Sequence, residues 1–157
     1  MTAVGDSVML GSESQLARRL PGIYVDAQVS RQFSDGLTIV AALAASGELR
    51  RVVVVGLGTN GLVTTGQIRQ LRAAIGPRRR LVLVNTYEAR PWETEVNGVL
   101  AAAARRDRRV ALANWHQVVA GRGYLLAGDG IHPQVAGTVV YGRVVSRAVQ
   151  RAGNLPR

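Results

Sequence analysis

RVVVVGLGTNG, Arg51 to Gly61, runs four β-branched residues together, Val52 to Val55, and then passes into a glycine-rich turn. An unbroken run of this kind suits a strand covered on both faces, as in a parallel sheet flanked by helices. Downstream, Thr64 or Thr65 to Ile75 has helical apolar spacing and meets a stop signal at Gly76-Pro77. The strand-loop-helix unit then repeats along the chain. Arg80 to Val84 is read as the fourth strand, Trp92 to Arg106 as its helix, and Val110 to Ala113 as the fifth strand. Upstream, Ile23 to Val29 is the second strand, and a helix from Ser34 or Asp35 to Ser46 follows it, with either residue able to cap it and Gly47 able to end it. A first strand ends at Val4, and Gly5 to Ser7 turn the chain into a helix of about Leu10 to Leu20 before Pro21-Gly22. After the fifth strand, Asn114 to Ile131 reads as irregular with a short helix near Val118, and Gln134 to Arg151 closes the chain as a helix. Alternation of strands and helices makes the expected class α/β, with five parallel strands.

At 157 residues and 47% hydrophobic content, the chain is expected to be one domain with one contiguous core. No apolar run approaches the roughly 20 residues of a membrane span, the longest being Ile39 to Ala45. The N-terminus shows no export signal of its own, and Ala3-Val4 look like the tail of a strand whose beginning is missing, as in a piece of a longer chain. With no cysteine there is neither disulfide nor thiolate metal site, and two histidines without metal-ligand spacing argue against zinc. Twenty basic residues, all arginine, against ten acidic ones leave a formal charge of +10, which favours polyanions without naming one. Many of these arginines, such as Arg18-Arg19, Arg78 to Arg80 and Arg105-Arg106, fall at helix ends or turns, where solvated termini are the plainer reading. Aromatic content of 4% is too low for the stacking platforms of a single-strand nucleic-acid binder.

In a doubly wound sheet the functional loops lie at the carboxyl ends of the strands. The polar residues expected there are Asp6-Ser7, Ser30 to Gln32, Thr59-Asn60, Asn85 and Asn114 to His116. A serine between strand and helix is often a cap, yet it can also be an exposed nucleophile with backbone N–H groups aimed at the centre it attacks. A serine nucleophile needs a base, and the base needs an acceptor on its other nitrogen. Asp129-Gly130-Ile131-His132 can supply both from one loop, although either residue could instead cap the helix that follows Pro133.

The Gly5-Asp6-Ser7 start, the Gly58-Thr59-Asn60 loop and Asp129-x-x-His132 resemble, in order, the signature blocks of the SGNH, or GDSL-type, hydrolases. The resemblance implies a three-layer, flavodoxin-like sheet, with Ser7 as nucleophile, His132 as general base and Asp129 as its orienting partner. It further implies an oxyanion hole made by the Ser7 backbone N–H and the Asn60 side-chain amide. Asp26-Ala27-x-x-Ser30-Arg31-Gln32, Leu57 to Gly61, Asn85 with Trp92, and Asn114-Trp115 resemble more narrowly the SGNH domains of membrane acyltransferases such as peptidoglycan O-acetyltransferases. That subgroup implies an extracytoplasmic domain, excised here from a chain with an N-terminal membrane acyltransferase part, that moves acetyl groups to or from cell-envelope glycan hydroxyls. Ser30 stands where the family's second block has glycine, so a third oxyanion donor there rests on its backbone N–H; Gly61 stands where an acidic residue is common. Arg31, Trp92 and Trp115 are the candidates for substrate contact, with Tyr124 a further aromatic face, though packing is the plainer role for the aromatics.

Gly56-Leu57-Gly58-Thr59-Asn60-Gly61 also fits the dinucleotide-binding pattern G-x-G-x-x-G. It sits on the third strand, and the next strand ends in Asn85 rather than a carboxylate for a ribose, so no cofactor is expected. A general carboxylesterase on small esters and a non-catalytic basic module are the competing functions; nucleic acid is disfavoured as partner.

Overall fold

Strand residues alternate sides, and the valines use that alternation to supply two cores at once. Val53, Val55, Leu81 and Leu83 enter one core, while Val54, Val82 and Val84 enter the other. The computed structural model describes residues 1–153. In chain order the elements are β1 (Thr2–Gly5), α1 (Ser7–Gly11), α2 (Glu13–Arg19), β2 (Tyr24–Ala27), α3 (Phe33–Ala45), β3 (Val52–Gly56), α4 (Thr65–Ile75), β4 (Arg80–Val84), α5 (Glu93–Arg106), β5 (Val110–Ala113), α6 (Trp115–Val119) and α7 (Val135–Gly153). A 3-10 turn at Gly123–Leu125 precedes the last loop. All five strands run parallel, in the spatial order β2-β1-β3-β4-β5.

Apolar residues of α3, α4 and α5 close the core that holds Val53, and those of α1, α2, α6 and α7 close the other, giving three layers. Each fully buried valine or leucine contributes about 1.5–3 kcal/mol relative to exposure, so the sheet is held chiefly from its two faces. The chain steps from β1 to β2 on one side and crosses back to β3 on the other, which makes β1/β3 the point where strand order reverses. There Gly5 is in register with both Ala27 and Gly56, so the loops after β1, β2 and β3 leave the sheet side by side.

Three of the boundaries that differ from expectation bear on the site. The helix after β1 begins at Ser7 and breaks at Ser12, because the buried Ser12 hydroxyl donates to the Val8 carbonyl at 3.0 Å and its backbone (φ −106°, ψ 4°) leaves helical geometry. α3 is capped at Gln32 rather than Ser34 or Asp35, since Asp35 lies in the first turn and accepts the Gln32 N–H at 3.1 Å. β2 ends at Ala27, where the Gln28 N–H donates to the Gly5 carbonyl at 3.1 Å and the chain then turns through Ser30. No helix among the described residues is long and apolar enough to cross a membrane.

Candidate active site

Two glycines let the turn after β1 fold tightly onto the sheet. A Cβ on Gly5 would collide with the Met9 side chain, and one on Gly56 would lie 2.8 Å from Met9 Cε and 2.9 Å from Tyr141 Oη. The Asp6 N–H donates to the Gly56 carbonyl at 3.2 Å, and Asp6 Oδ1 accepts the Val8 N–H at 3.0 Å, capping α1. Ser7 is thereby the first residue of α1, at the end of a fully buried strand.

The opposing loop is held by its own hydrogen bonds. The Ala127 N–H donates to the His132 carbonyl at 2.7 Å, the Gly130 N–H donates to Ala127 at 2.9 Å, and Leu126 pairs with Pro133 in an antiparallel bridge. Gly130 occupies left-handed space (φ 71°), which bends the loop back on itself. Asp129 Oδ1 accepts the N–H groups of Ile131 (2.9 Å) and His132 (3.0 Å), and its Oδ2 lies 2.6 Å from His132 Nδ1. The contact with His132, then the two N–H donors, holds the Asp129 carboxyl down to about 2. A carboxylate ionised at neutral pH and that close to Nδ1 places the proton there, so Nε2 presents its lone pair. His132 Nε2 is 2.9 Å from Ser7 Oγ, across 125 residues of sequence.

Ser30 has φ 60° and is the one non-glycine residue among those described with positive φ. A serine therefore stands in a conformation that glycine enters without strain. Asn60, on the loop after β3, donates from Nδ2 to the Arg31 carbonyl at 3.3 Å. The loops after β1, β2 and β3 thus bring Ser7, Ser30 and Asn60 to one end of the sheet.

The residues expected to touch substrate are placed differently. Arg31 is buried, and its guanidinium points inward to Gly5, Asp26 and Gln28. Trp115 is 1% exposed and packs edge-on against Tyr141 with ring centroids 5.2 Å apart. Trp115 is packed beneath the site and the Arg31 guanidinium is turned inward, so neither the indole nor the charge is free to contact substrate as expected. Trp92 is half-buried against the α5 side of the core, whereas Tyr124 is exposed. An open cleft of about 540 Å³ runs from Gln28, Ser30 and Arg31 along α3 to Thr38 and Ile39. Asn85 and Asn114 hold one another, Asn85 Nδ2 donating to Asn114 Oδ1 at 2.7 Å, and His116 pairs with Glu93 at 2.7 Å.

Sequence reasoning missed a buried polar chain behind Ser7. Thr59 Oγ1 and Thr86 Oγ1 are 3.1 Å apart, and Thr86 Oγ1 donates to Glu88 Oε2 at 2.9 Å. Burial, with the charges of Glu93 and Asp6 adding to it, pushes Glu88 up to about 7 against the Thr86 hydrogen bond. Burial likewise raises Asp6, opposed by Thr59 and by the N–H groups of Val8 and Met9. A carboxylate just past a strand tip was the available signal, but nothing local says that it turns inward.

No family model matches the chain. It is 34% identical over 139 residues to the peptidoglycan O-acetyltransferase OatA of Listeria monocytogenes, covering 88% of this chain and 22% of that protein. It is 33% identical over 139 residues to the O-acetyltransferase OatA of Staphylococcus aureus, covering 86% and 22% respectively. The chain spans about a fifth of the length of these relatives. Among solved structures it is similar to the C-terminal catalytic domain of Streptococcus pneumoniae peptidoglycan O-acetyltransferase A with a methylsulfonyl adduct. That likeness has a TM-score of 0.89 at 24% identity and covers 99% of this chain and 94% of that one.

Proposed function

We infer the function from one premise: the chain is an SGNH (GDSL-type) hydrolase-fold domain, similar to the catalytic domain of peptidoglycan O-acetyltransferases. The proposed activity is O-acyl transfer or ester hydrolysis through an acyl-serine, acting on acetyl groups of cell-envelope glycan hydroxyls. The contact of Ser7 Oγ with His132 Nε2 at 2.9 Å carries this reading. In the proposed sequence, Ser7 Oγ attacks the ester carbonyl as its proton passes to His132 Nε2. The tetrahedral oxyanion accepts from the Ser7 and Ser30 backbone N–H groups and from Asn60 Nδ2. Collapse breaks the ester C–O bond, and the leaving alkoxide takes the proton from His132. A sugar hydroxyl or water then attacks the acyl-serine, delivers its proton to His132, and the proton returns to Ser7 when the new product departs. Asp129 stays ionised and stabilises the imidazolium formed in each half-reaction.

The cleft between the Ser30 loop and α3 adjoins Ser30 and is larger than an acetyl group needs, which supports an acceptor of glycan size. Tyr124, 70% exposed, is the aromatic face available for a sugar ring. We place the domain outside the cytoplasm, as the catalytic piece of a longer chain whose other part is a membrane acyltransferase. Transfer and hydrolysis use the same residues, so the acceptor decides between them. The test is turnover of p-nitrophenyl acetate by wild type and Ser7→Ala. The variant is expected to lose at least about 10⁴-fold in kcat with an unchanged melting curve; retained turnover overturns the reading.

A further inference from the structure

Arg31 has a buried guanidinium that takes no part in the chemistry just described. Its side chain is 6% exposed, a costly position for a permanent charge unless every donor is used. Nη2 donates to Asp26 Oδ1 at 2.7 Å and to Gln28 Oε1 at 3.4 Å, while Nη1 donates to the Asp26 carbonyl at 2.5 Å. Nη1 also donates to the Gly5 carbonyl at 3.3 Å, two residues before Ser7. The main chain of the same residue follows Ser30, and its carbonyl accepts from Asn60 Nδ2 at 3.3 Å. Gly61 leaves room for the same loop, since a Cβ there would lie 2.9 Å from Gln32 Oε1.

We propose that Arg31 is the positioning residue of the oxyanion hole, tying the β1 end that carries Ser7, the strained turn that carries Ser30, and Asn60 into one rigid unit. The inference rests on the serine mechanism above. One Asn60 N–H is spent on the Arg31 carbonyl, which fixes the amide plane and aims the other N–H. The guanidinium, anchored on Asp26 at the edge strand, sets the height of the Ser30 turn against the Gly5 carbonyl. A fork is required because the acceptors lie in two directions, and an ammonium on a flexible stem cannot hold them in one plane. Asp26, with a side chain 29% exposed, is the more tolerant end of the clamp.

The experiment is a double-mutant cycle on p-nitrophenyl acetate turnover, with Ser7→Ala as control and melting curves throughout. Removal of one oxyanion donor costs about 10²–10³-fold in kcat, which is the loss expected for Asn60→Ala. Arg31→Lys should lose about 10-fold or more in kcat with KM little changed, because a small misplacement of the donors suffices. In the Asn60→Ala background the same substitution should cost less, about 3-fold, since only the Ser7 and Ser30 donors remain to be misplaced. Asp26→Asn, chosen to fold if Arg31→Lys does not, should show the same pattern at smaller size. Equal, additive losses in both backgrounds, or a loss that only follows the folded fraction, overturn the positioning role while leaving the serine mechanism standing. Absence of Ser7-dependent turnover in the wild type overturns both.

Discussion

The two ends of the site are built in opposite ways. The turn that carries Ser7 issues from a fully buried strand, beneath glycines that admit no side chain, and above buried Asp6, Thr86 and Glu88 linked through the half-buried Thr59. The loop that carries Asp129 and His132 is nearly half exposed at both side chains and is shaped by its own backbone hydrogen bonds. The position of Ser7 is thus inherited from the core, whereas that of His132 is set locally. Substitutions in the packing that supports the first region, Ser7 itself apart, should therefore register in stability, and those in the second in turnover alone.

The sharpest separation should come from Asp129→Asn. The asparagine keeps an oxygen for the Ile131 and His132 N–H groups but presents an amide to His132 Nδ1, favouring the wrong tautomer; kcat should fall about 10³–10⁴-fold. Its melting temperature should stay within about 2 °C of wild type, as befits an exposed substitution. A large loss of stability there would break the comparison. Gly56→Ala should do the reverse: overpacking against Met9 and Tyr141 should destabilise by about 1–3 kcal/mol, while kcat per folded molecule changes little.

Glu88 gives the smallest effect and the one that depends on pH. Unfolded, it titrates near its ordinary value of 4.5; folded, it holds its proton up to about 7. Between those values the folded chain binds more protons than the unfolded one, so stability falls as pH rises through the window and levels off above it. Glu88→Gln should flatten that slope and raise the melting temperature at pH 8 relative to wild type by about 2–4 °C for each kcal/mol recovered. An unchanged slope would place the pH dependence elsewhere.

Much of the sheet is legible in the bare sequence because buried parallel strands write themselves as continuous apolar runs. Arg80 to Val84 and Val110 to Ala113 are read with the same limits that the structure has. Ser12 is not legible as a break, since a serine hydroxyl bonded to the carbonyl four residues back is also found inside continuous helices. Of the site, the sequence places Ser7 and Asn60 on loops at one end of the sheet and Asp129 to His132 on a loop before the last helix, but separations across 125 residues belong to the tertiary structure. Arg31 and Trp115 mislead for a related reason: a charged or aromatic residue beside a motif looks like a surface contact, and only packing reveals that it faces inward. Ser30 is a separate case: it stands where the family's glycine is usual, and only the structure shows that it occupies a left-handed turn.

The central claim is that His132 activates Ser7. Treatment with a serine-directed phosphonate, followed by peptide mass mapping, tests it most directly. One adduct on Ser7 in the wild type, formed at least about 10²-fold more slowly in His132→Ala, is the predicted result. An adduct on another serine, or equal labelling of Ser7 in the two proteins, would contradict it.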